Sequence, residues 1–281
     1  MDNTLLYTER IAQFGRSLYQ QERCAGTIEK YVRDVNAFAL WLDGEAVTKE
    51  AAVAWKEHLL GKGYNPATIN SMLAAVNQFF RFCGWEDCRV KPLRLQKRLF
   101  RGKERELSRQ EYQRLVETAQ RLGQERLGLL LETICATGLR VSEVRYITVE
   151  AAQQGRAEIS LKGKIRTILI PSKLRKELLQ FARRRKQASG EIFVTRSGRP
   201  LDRRQIWAEM KALGKRAGVA LSKVHPHNLR HLFARTFYRA CQDVAKLADV
   251  LGHSSIETTR IYLISTGTEH LRQMDRLGLV T

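Results

Sequence analysis

Four short segments in the second half of the chain gather arginine, lysine, histidine and tyrosine at defined spacings. In TGLRVSEV, Arg140 and Glu143 are three residues apart, and in LKGKIR, Lys162 and Lys164 flank a glycine. In HPHNLRHL, His227 and Arg230 are three apart, and in LGHSSIETTRIY, His253 is followed nine residues later by Tyr262. Guanidinium forks match phosphate oxygens, imidazole and ammonium groups move protons, and a tyrosine hydroxyl is a nucleophile. Together these groups are what phosphoryl transfer without a metal ion requires. No G-x-x-x-x-G-K-[ST], G-x-S-x-G, H-E-x-x-H or dinucleotide glycine fingerprint is present, so ATP-driven, serine-hydrolase, zinc-protease and dinucleotide chemistry have no legible site.

Each segment alone has an ordinary structural reading. Arg140 and Glu143 make an i, i+3 ion pair at a helix entry, the lysines occupy a hairpin tip, and His227 and Arg230 share a helix face. Val244, Leu247, Ala248 and Leu251 form an apolar stripe, Gly252 stops that helix, and Ser254 with Glu257 begins another as a capping box. The elements around them follow from periodicity. The first part predicts four helices: one near residues 4–22, one capped by Thr27 with Ile28, Tyr31, Val32, Val35, Phe38, Ala39 and Leu42 on its stripe, one from Thr48 to Leu60, and one begun by Asn65 and Pro66 and ended at Gly84. After Pro92 and a basic run, Ser108 and Glu111 open a second, mostly helical domain. Residues 147–170 predict a small antiparallel sheet, with strands around 147–149, 159–161 and 165–170. The domains are therefore 1–88, a basic linker 89–106, and 107–281 with a tail helix after Tyr262.

Charge is unevenly spread along the 281 residues. Residues 1–88 carry 9 basic and 11 acidic side chains, residues 89–105 carry 8 and 1, and residues 106–281 carry 32 and 17, for a net charge of +20. Such an imbalance is an electrostatic footprint for a polyanion, and nucleic acid is the leading candidate. Arg94, Lys97, Arg98, Arg101 and Lys103 in the linker are its densest part. A membrane partner is not indicated, since there is no long apolar run and no basic amphipathic helix with a large apolar face. The 5 cysteines are scattered without C-x-x-C spacing, so no disulfide framework or metal site is indicated. With no signal-peptide pattern at the N-terminus, the expected compartment is the cytoplasm.

Taken in order, TGLR-x-x-E, a strand-borne lysine, H-x-L-R-H, and LGH with a tyrosine nine residues on resemble the signature of the tyrosine recombinase (phage integrase) family. The resemblance covers the whole second domain, and the helical first unit looks like that family's SAM-like core-binding domain. It implies a mainly α fold with a small antiparallel sheet in the catalytic domain. The two domains would grip duplex DNA as a C-shaped clamp, with the linker crossing between them. It assigns Tyr262 as nucleophile, Arg140 and Arg230 as ligands of the non-bridging oxygens, His253 as a further hydrogen-bond donor to the phosphate, Lys162 as the acid for the departing 5′-oxygen, and His227 as the proton carrier at the tyrosine. Glu143 would support the site, and Lys164 is the reserve for Lys162, because Lys162 stands nine residues before Pro171, one more than the commoner pattern. The H-x-x-R register selects His227 over its neighbours His225 and His231. The family reaction needs no cofactor or metal, and its partners are double-stranded DNA and further copies of the chain, a dimer on each site and a tetramer in the synapse. The tail after Tyr262 would dock on a neighbouring subunit or fold back on its own. Target sequence, accessory proteins and biological programme, whether integration, inversion, resolution or mobile-element transfer, are not legible. Two rival readings are a type IB topoisomerase-like enzyme and a DNA-binding protein that has lost the reaction.

Overall fold

The computed structural model describes residues 3–95, 105–161, 164–253, 255–263 and 275–277. The chain divides into two compact units, Met1–Lys97 and Arg98–Thr281. The first is built from α1 (Asn3–Gln20), α2 (Ala25–Leu42), α3 (Lys49–Gly61) and α4 (Pro66–Phe82). The apolar stripes meet in a core of Phe14, Leu18, Val35, Phe38, Trp55, Leu73, Phe79 and Phe80. Phe38 joins two layers of it edge-on, 5.1 Å from Trp55 and 5.6 Å from Phe80 between ring centroids. Thr48 and Asn65 cap α3 and α4, with Pro66 in the first turn. Helix α2 starts earlier than the sequence suggests. Cys24, not Thr27, is its cap residue, and Thr27 lies in the first turn with its hydroxyl 3.0 Å from the Cys24 Sγ.

Residues 89–93, which charge alone groups with the linker, lie along α3 and α4. Asn77 donates to the Val90 carbonyl at 2.8 Å and accepts from the Val90 amide at 2.9 Å. Asn70, seven residues earlier on α4, treats Leu93 in the same way at 2.9 and 2.7 Å. From α3, Lys49 donates to the Arg89 carbonyl and Lys56 to that of Lys91 at 3.1 Å. The segment is thus held by side chains where a strand would use a neighbouring backbone, which leaves Val90 buried in the core and Arg94 exposed.

The second unit holds α5 (Arg109–Arg121), α6 (Glu125–Thr137), a 3₁₀ turn (Val141–Tyr146), α7 (Val149–Gln154), β1 (Arg156–Leu161), β2 (Lys164–Leu169), α8 (Ser172–Arg184), α9 (Arg203–Arg216), α10 (Pro226–Cys241), α11 (Val244–Leu251) and α12 (Ile256–Leu263). Helix α6 is the central element, apolar on most of its surface and packed against α5, α8 and α10. The Ser108–Glu111 capping box fixes the entry of α5. Among the described residues the sheet has two strands, paired antiparallel from Arg156↔Leu169 to Leu161↔Lys164. The expected strand at 147–149 is reduced to a single bridge, Thr148 to Glu191. The reason is local: the Thr148 hydroxyl accepts from the Ala151 amide, which starts α7 immediately, while Ile147 and Val149 are buried without a ladder. The Ser254 cap lies outside the described residues, and Ser255 receives the Glu257 amide at 3.2 Å. The tail after Tyr262 is likewise outside them apart from Leu263 and residues 275–277. Among the described residues no helix is long and apolar enough to cross a membrane.

Replacing Asn77 by Ala removes both side-chain bonds to Val90 and leaves its backbone groups unsatisfied in a buried position. The expected cost is about 1–3 kcal/mol, read as a lower thermal or urea midpoint, whereas an unchanged midpoint would mean that water replaces the side chain.

Candidate active site

The second unit draws its basic groups around Arg230. This side chain projects from α10 and is only 2% exposed. Nη1 donates to the Gly138 carbonyl, Nη2 to the Leu251 carbonyl and to His253 Nε2, both at 2.9 Å, and Nε to the Tyr262 hydroxyl at 3.4 Å. Both carbonyls are helix ends: Gly138 is the C-cap of α6, and Leu251 is the last residue of α11. Carbonyls of a last helical turn lack intrahelical partners and carry the negative end of the helix dipole, so they suit a buried cation. Burial, and then the nearby Arg140, pull the Arg230 guanidinium below its ordinary range.

Glu143 organises a second layer. It is buried in the 3₁₀ turn and accepts from the Arg140 amide at 2.6 Å and from Arg140 Nη1 at 3.1 Å. Its other bond is to Arg166 Nη2 from β2. Arg166 Nη1 also donates to the Leu251 carbonyl, so one carbonyl serves two arginines. Arg140 is half-exposed and presents the remaining part of its guanidinium to solvent. The two glycines of the motifs are needed for close approach. Gly138 (φ +65°) would place a Cβ 2.4 Å from the Phe233 ring, and Gly252 (φ +63°) would place one 2.4 Å from Arg166 Cδ.

Tyr262 comes from α12 and is buried to 4% exposure against Ala234, Leu247 and Leu251. Its ring lies 4.3 Å from His231, 5.6 Å from His253 and 5.8 Å from His227 between centroids. Arginine nitrogens only donate, so His253 Nε2 accepts from Arg230 and the ring is neutral, with its proton on Nδ1 directed at the Thr259 hydroxyl 2.8 Å away. Burial first, then Arg230, Arg140 and Arg166, push the His253 imidazole down to about 4. In this arrangement His253 is therefore a hydrogen-bond acceptor at Nε2, where the resemblance implies a donor.

The structure brings together Arg140, Glu143, Arg230, His253 and Tyr262, with His227 exposed at the start of α10 beside them. Lys162 lies outside the described residues, as do Lys97, Arg98, Arg101 and Lys103. Lys164 is the first residue of β2, paired in register with Leu161. Sequence reasoning missed Arg166 and Thr259, and set His231 aside in favour of His227, although His231 is the histidine whose ring lies nearest Tyr262 among the three. For Arg166 a signal existed: it is in phase with the buried Ile168 and Ile170, while Ile165 and Leu169 face solvent, so this arginine had to point inward. Thr259 carried no comparable mark, whereas His231 closes the H-x-L-R-H motif.

A model of the phage integrase family matches residues 105–268, more than half of the chain. The chain belongs to the phage integrase family. Its first unit matches the phage integrase N-terminal SAM-like domain over residues 11–87. Tyrosine recombinase XerA of Pyrococcus furiosus is 29% identical over 290 residues, covering 100% of this chain and 98% of that protein. Tyrosine recombinase XerD of Brucella melitensis is 32% identical over 264 residues, covering 84% of this chain and 85% of that protein. A lambda integrase dimer crystallised on a core site has the same fold, with a TM-score of 0.73 over 91% of this chain and 94% of that one at 17% identity. The mainly helical fold with a small antiparallel sheet is thus that of the phage integrases.

The neutral His253 of this phage integrase family member makes stability depend on pH. Its folded value of about 4 lies below the ordinary 6.5, so between these the unfolded chain binds the extra proton. Stability from this residue is complete above about pH 6.5 and declines as pH falls toward 4. The wild-type midpoint should therefore drop more over this window than that of His253→Gln, and parallel curves would show a solvated imidazole.

Proposed function

We propose that this phage integrase is a site-specific recombinase that cleaves and rejoins duplex DNA through a tyrosine. The observation that carries the reading is the Tyr262 hydroxyl against Arg230 Nε, with His253 beside both in one chain. Tyr262 and His253 occupy donors of Arg230 that a phosphate would take over on binding, with Arg140 supplying a second guanidinium from the solvent side. The Tyr262 oxygen attacks phosphorus while the bond to the 5′-oxygen breaks, leaving a 3′-phosphotyrosyl link and a free 5′-hydroxyl. The tyrosine proton passes to His227, and Lys162, with Lys164 as reserve, protonates the departing oxygen. Two arginines stabilise charge on the non-bridging oxygens, the same task that a metal would perform elsewhere. Glu143 holds Arg140 and does not react. Because the phosphotyrosyl bond keeps the energy of the broken phosphodiester, the 5′-hydroxyl of a second strand reseals it without ATP. Exchange of strands in pairs through a Holliday junction follows, with a dimer on each site and a tetramer in the synapse.

A nicked suicide duplex built from DNA flanking the gene tests this. Wild type should form an SDS-resistant protein–DNA adduct, Tyr262→Phe should bind without forming one, and Arg140→Ala or Arg230→Ala should cleave at least about 10³-fold more slowly. Binding with no adduct across a library of sites would favour a DNA-binding protein that has lost the reaction. Relaxation of supercoils without transfer between two sites would favour a topoisomerase.

Affinity should fall steeply with salt, because neutralised phosphates release counterions with a log–log slope of about −0.9 for each contact. A flat dependence between 50 and 200 mM salt, roughly the range where such slopes show, would contradict DNA as the partner.

A further inference from the structure

The imidazole of His253 has two nitrogens in different company. Nε2 faces an obligate donor, Arg230 Nη2, at 2.9 Å, and Nδ1 faces the Thr259 hydroxyl at 2.8 Å. Thr259 is completely buried, so no solvent competes for that hydroxyl. It is β-branched and sits in α12, where its side-chain torsion is restricted. It also stands three residues before Tyr262, hence on the same side of the helix. One short helix thus presents two hydroxyls to the site: that of Tyr262 to Arg230, and that of Thr259 to His253.

We propose that Thr259 is a positioning residue, which accepts a hydrogen bond from Nδ1–H of His253 and fixes the ring orientation so that Nε2 is the nitrogen turned toward Arg230 and the reacting phosphate. The inference rests on the recombinase reading and deepens it. Arg230 can only donate, so it sets the tautomer with the proton on Nδ1. A buried N–H without a partner is costly, and the Thr259 hydroxyl accepts it and so holds the ring with its lone pair toward Arg230. A hydroxyl orients without adding charge, unlike the carboxylate that often holds a working histidine. Among the described residues the charged groups facing the ring are cationic: Arg230 from α10, Arg140 before the 3₁₀ turn, and Arg166 from β2, with the Tyr262 ring stacked from α12. The ring is therefore neutral at rest. When a phosphate enters and displaces it from Arg230, a proton from solvent adds at Nε2, which then donates to the phosphate oxygen while Nδ1–H remains on Thr259. Helix α12 consequently places nucleophile and imidazole as one piece.

The test uses the full chain with ¹⁵N-labelled histidine, His253→Gln assigning the resonance, and two variants, Thr259→Val and Thr259→Ser. Valine keeps the volume and removes the acceptor, and serine restores the hydroxyl. Without DNA, wild-type His253 should show a protonated Nδ1 and an unprotonated Nε2; in Thr259→Val the Nδ1 proton loses its acceptor, so its resonance should move upfield and exchange faster, and Thr259→Ser should restore it. On a suicide duplex that wild type cleaves, Thr259→Val should form adduct about 10–100-fold more slowly, the usual cost of removing a group that orients a working imidazole. Its pH–rate profile should shift, and Thr259→Ser should recover most of the rate. The assignment is overturned if wild-type His253 is protonated at Nε2, if Thr259→Val leaves spectrum and rate unchanged, or if a folded Thr259→Ser fails as fully as Thr259→Val. Absence of adduct from wild type across a library of sites would instead defeat the recombinase reading, and the Nδ1–H resonance compared between wild type and Thr259→Val without DNA still decides the role of Thr259.

Discussion

The burial of one guanidinium governs the architecture of the second unit. Arg230 is a permanent cation almost withdrawn from water, and such a group is tolerated only when its donors are met. Of its five N–H groups, four are engaged, by the Gly138 carbonyl, the Leu251 carbonyl, His253 and Tyr262. Two of these partners are fixed backbone at the ends of α6 and α11, and two are side chains that can yield to another acceptor. The fixed pair holds the guanidinium in place, and the replaceable pair marks where an anion would enter.

Other features follow from that placement. Both helices must end where their last carbonyls meet Arg230, and both end on a left-handed glycine. At Gly138 the ring of Phe233 approaches too closely for a side chain, and at Gly252 the stem of Arg166 does so. The glycines in TGLR and LGH are therefore consequences of how tightly α10 and β2 pack around the helix ends. Glu143 is the counterweight among the described groups: its buried carboxylate joins Arg140 and Arg166, tying the 3₁₀ turn to the hairpin. The hairpin is thereby anchored at the site by Arg166, whose second bond reaches the same Leu251 carbonyl.

Much of this was legible in the sequence, for identifiable reasons. Helices α3, α4 and α5 were marked by caps at Thr48, Asn65 and Ser108, because capping is a contact within a few residues. The cluster of Arg140, Arg230, His253 and Tyr262 was legible only through the order of four motifs, since no local rule brings segments more than a hundred residues apart into one place. What failed was tertiary. Ile147 and Val149 are apolar and β-branched and read as strand, yet the Thr148 hydroxyl begins a helix at once. Residues 89–93 read as linker by charge, yet Asn70 and Asn77 hold their backbone, and a partner on another helix leaves no trace in local composition. Thr259 looked like one polar residue in a short helix, and its meaning depends on an imidazole six residues away and folded back.

Arg230 and Tyr262, the arginine and tyrosine assigned to the proposed reaction, meet within a single chain, in contact across thirty-two positions of sequence. The most direct measurement mixes Tyr262→Phe and Arg230→Ala proteins on one suicide duplex and scores covalent adduct. Neither protein in the mixture holds a complete site of its own, so the account predicts no adduct above that of either alone. Adduct restored by mixing would mean that one chain supplies the tyrosine to the arginine of another, and would contradict the single-chain site described above.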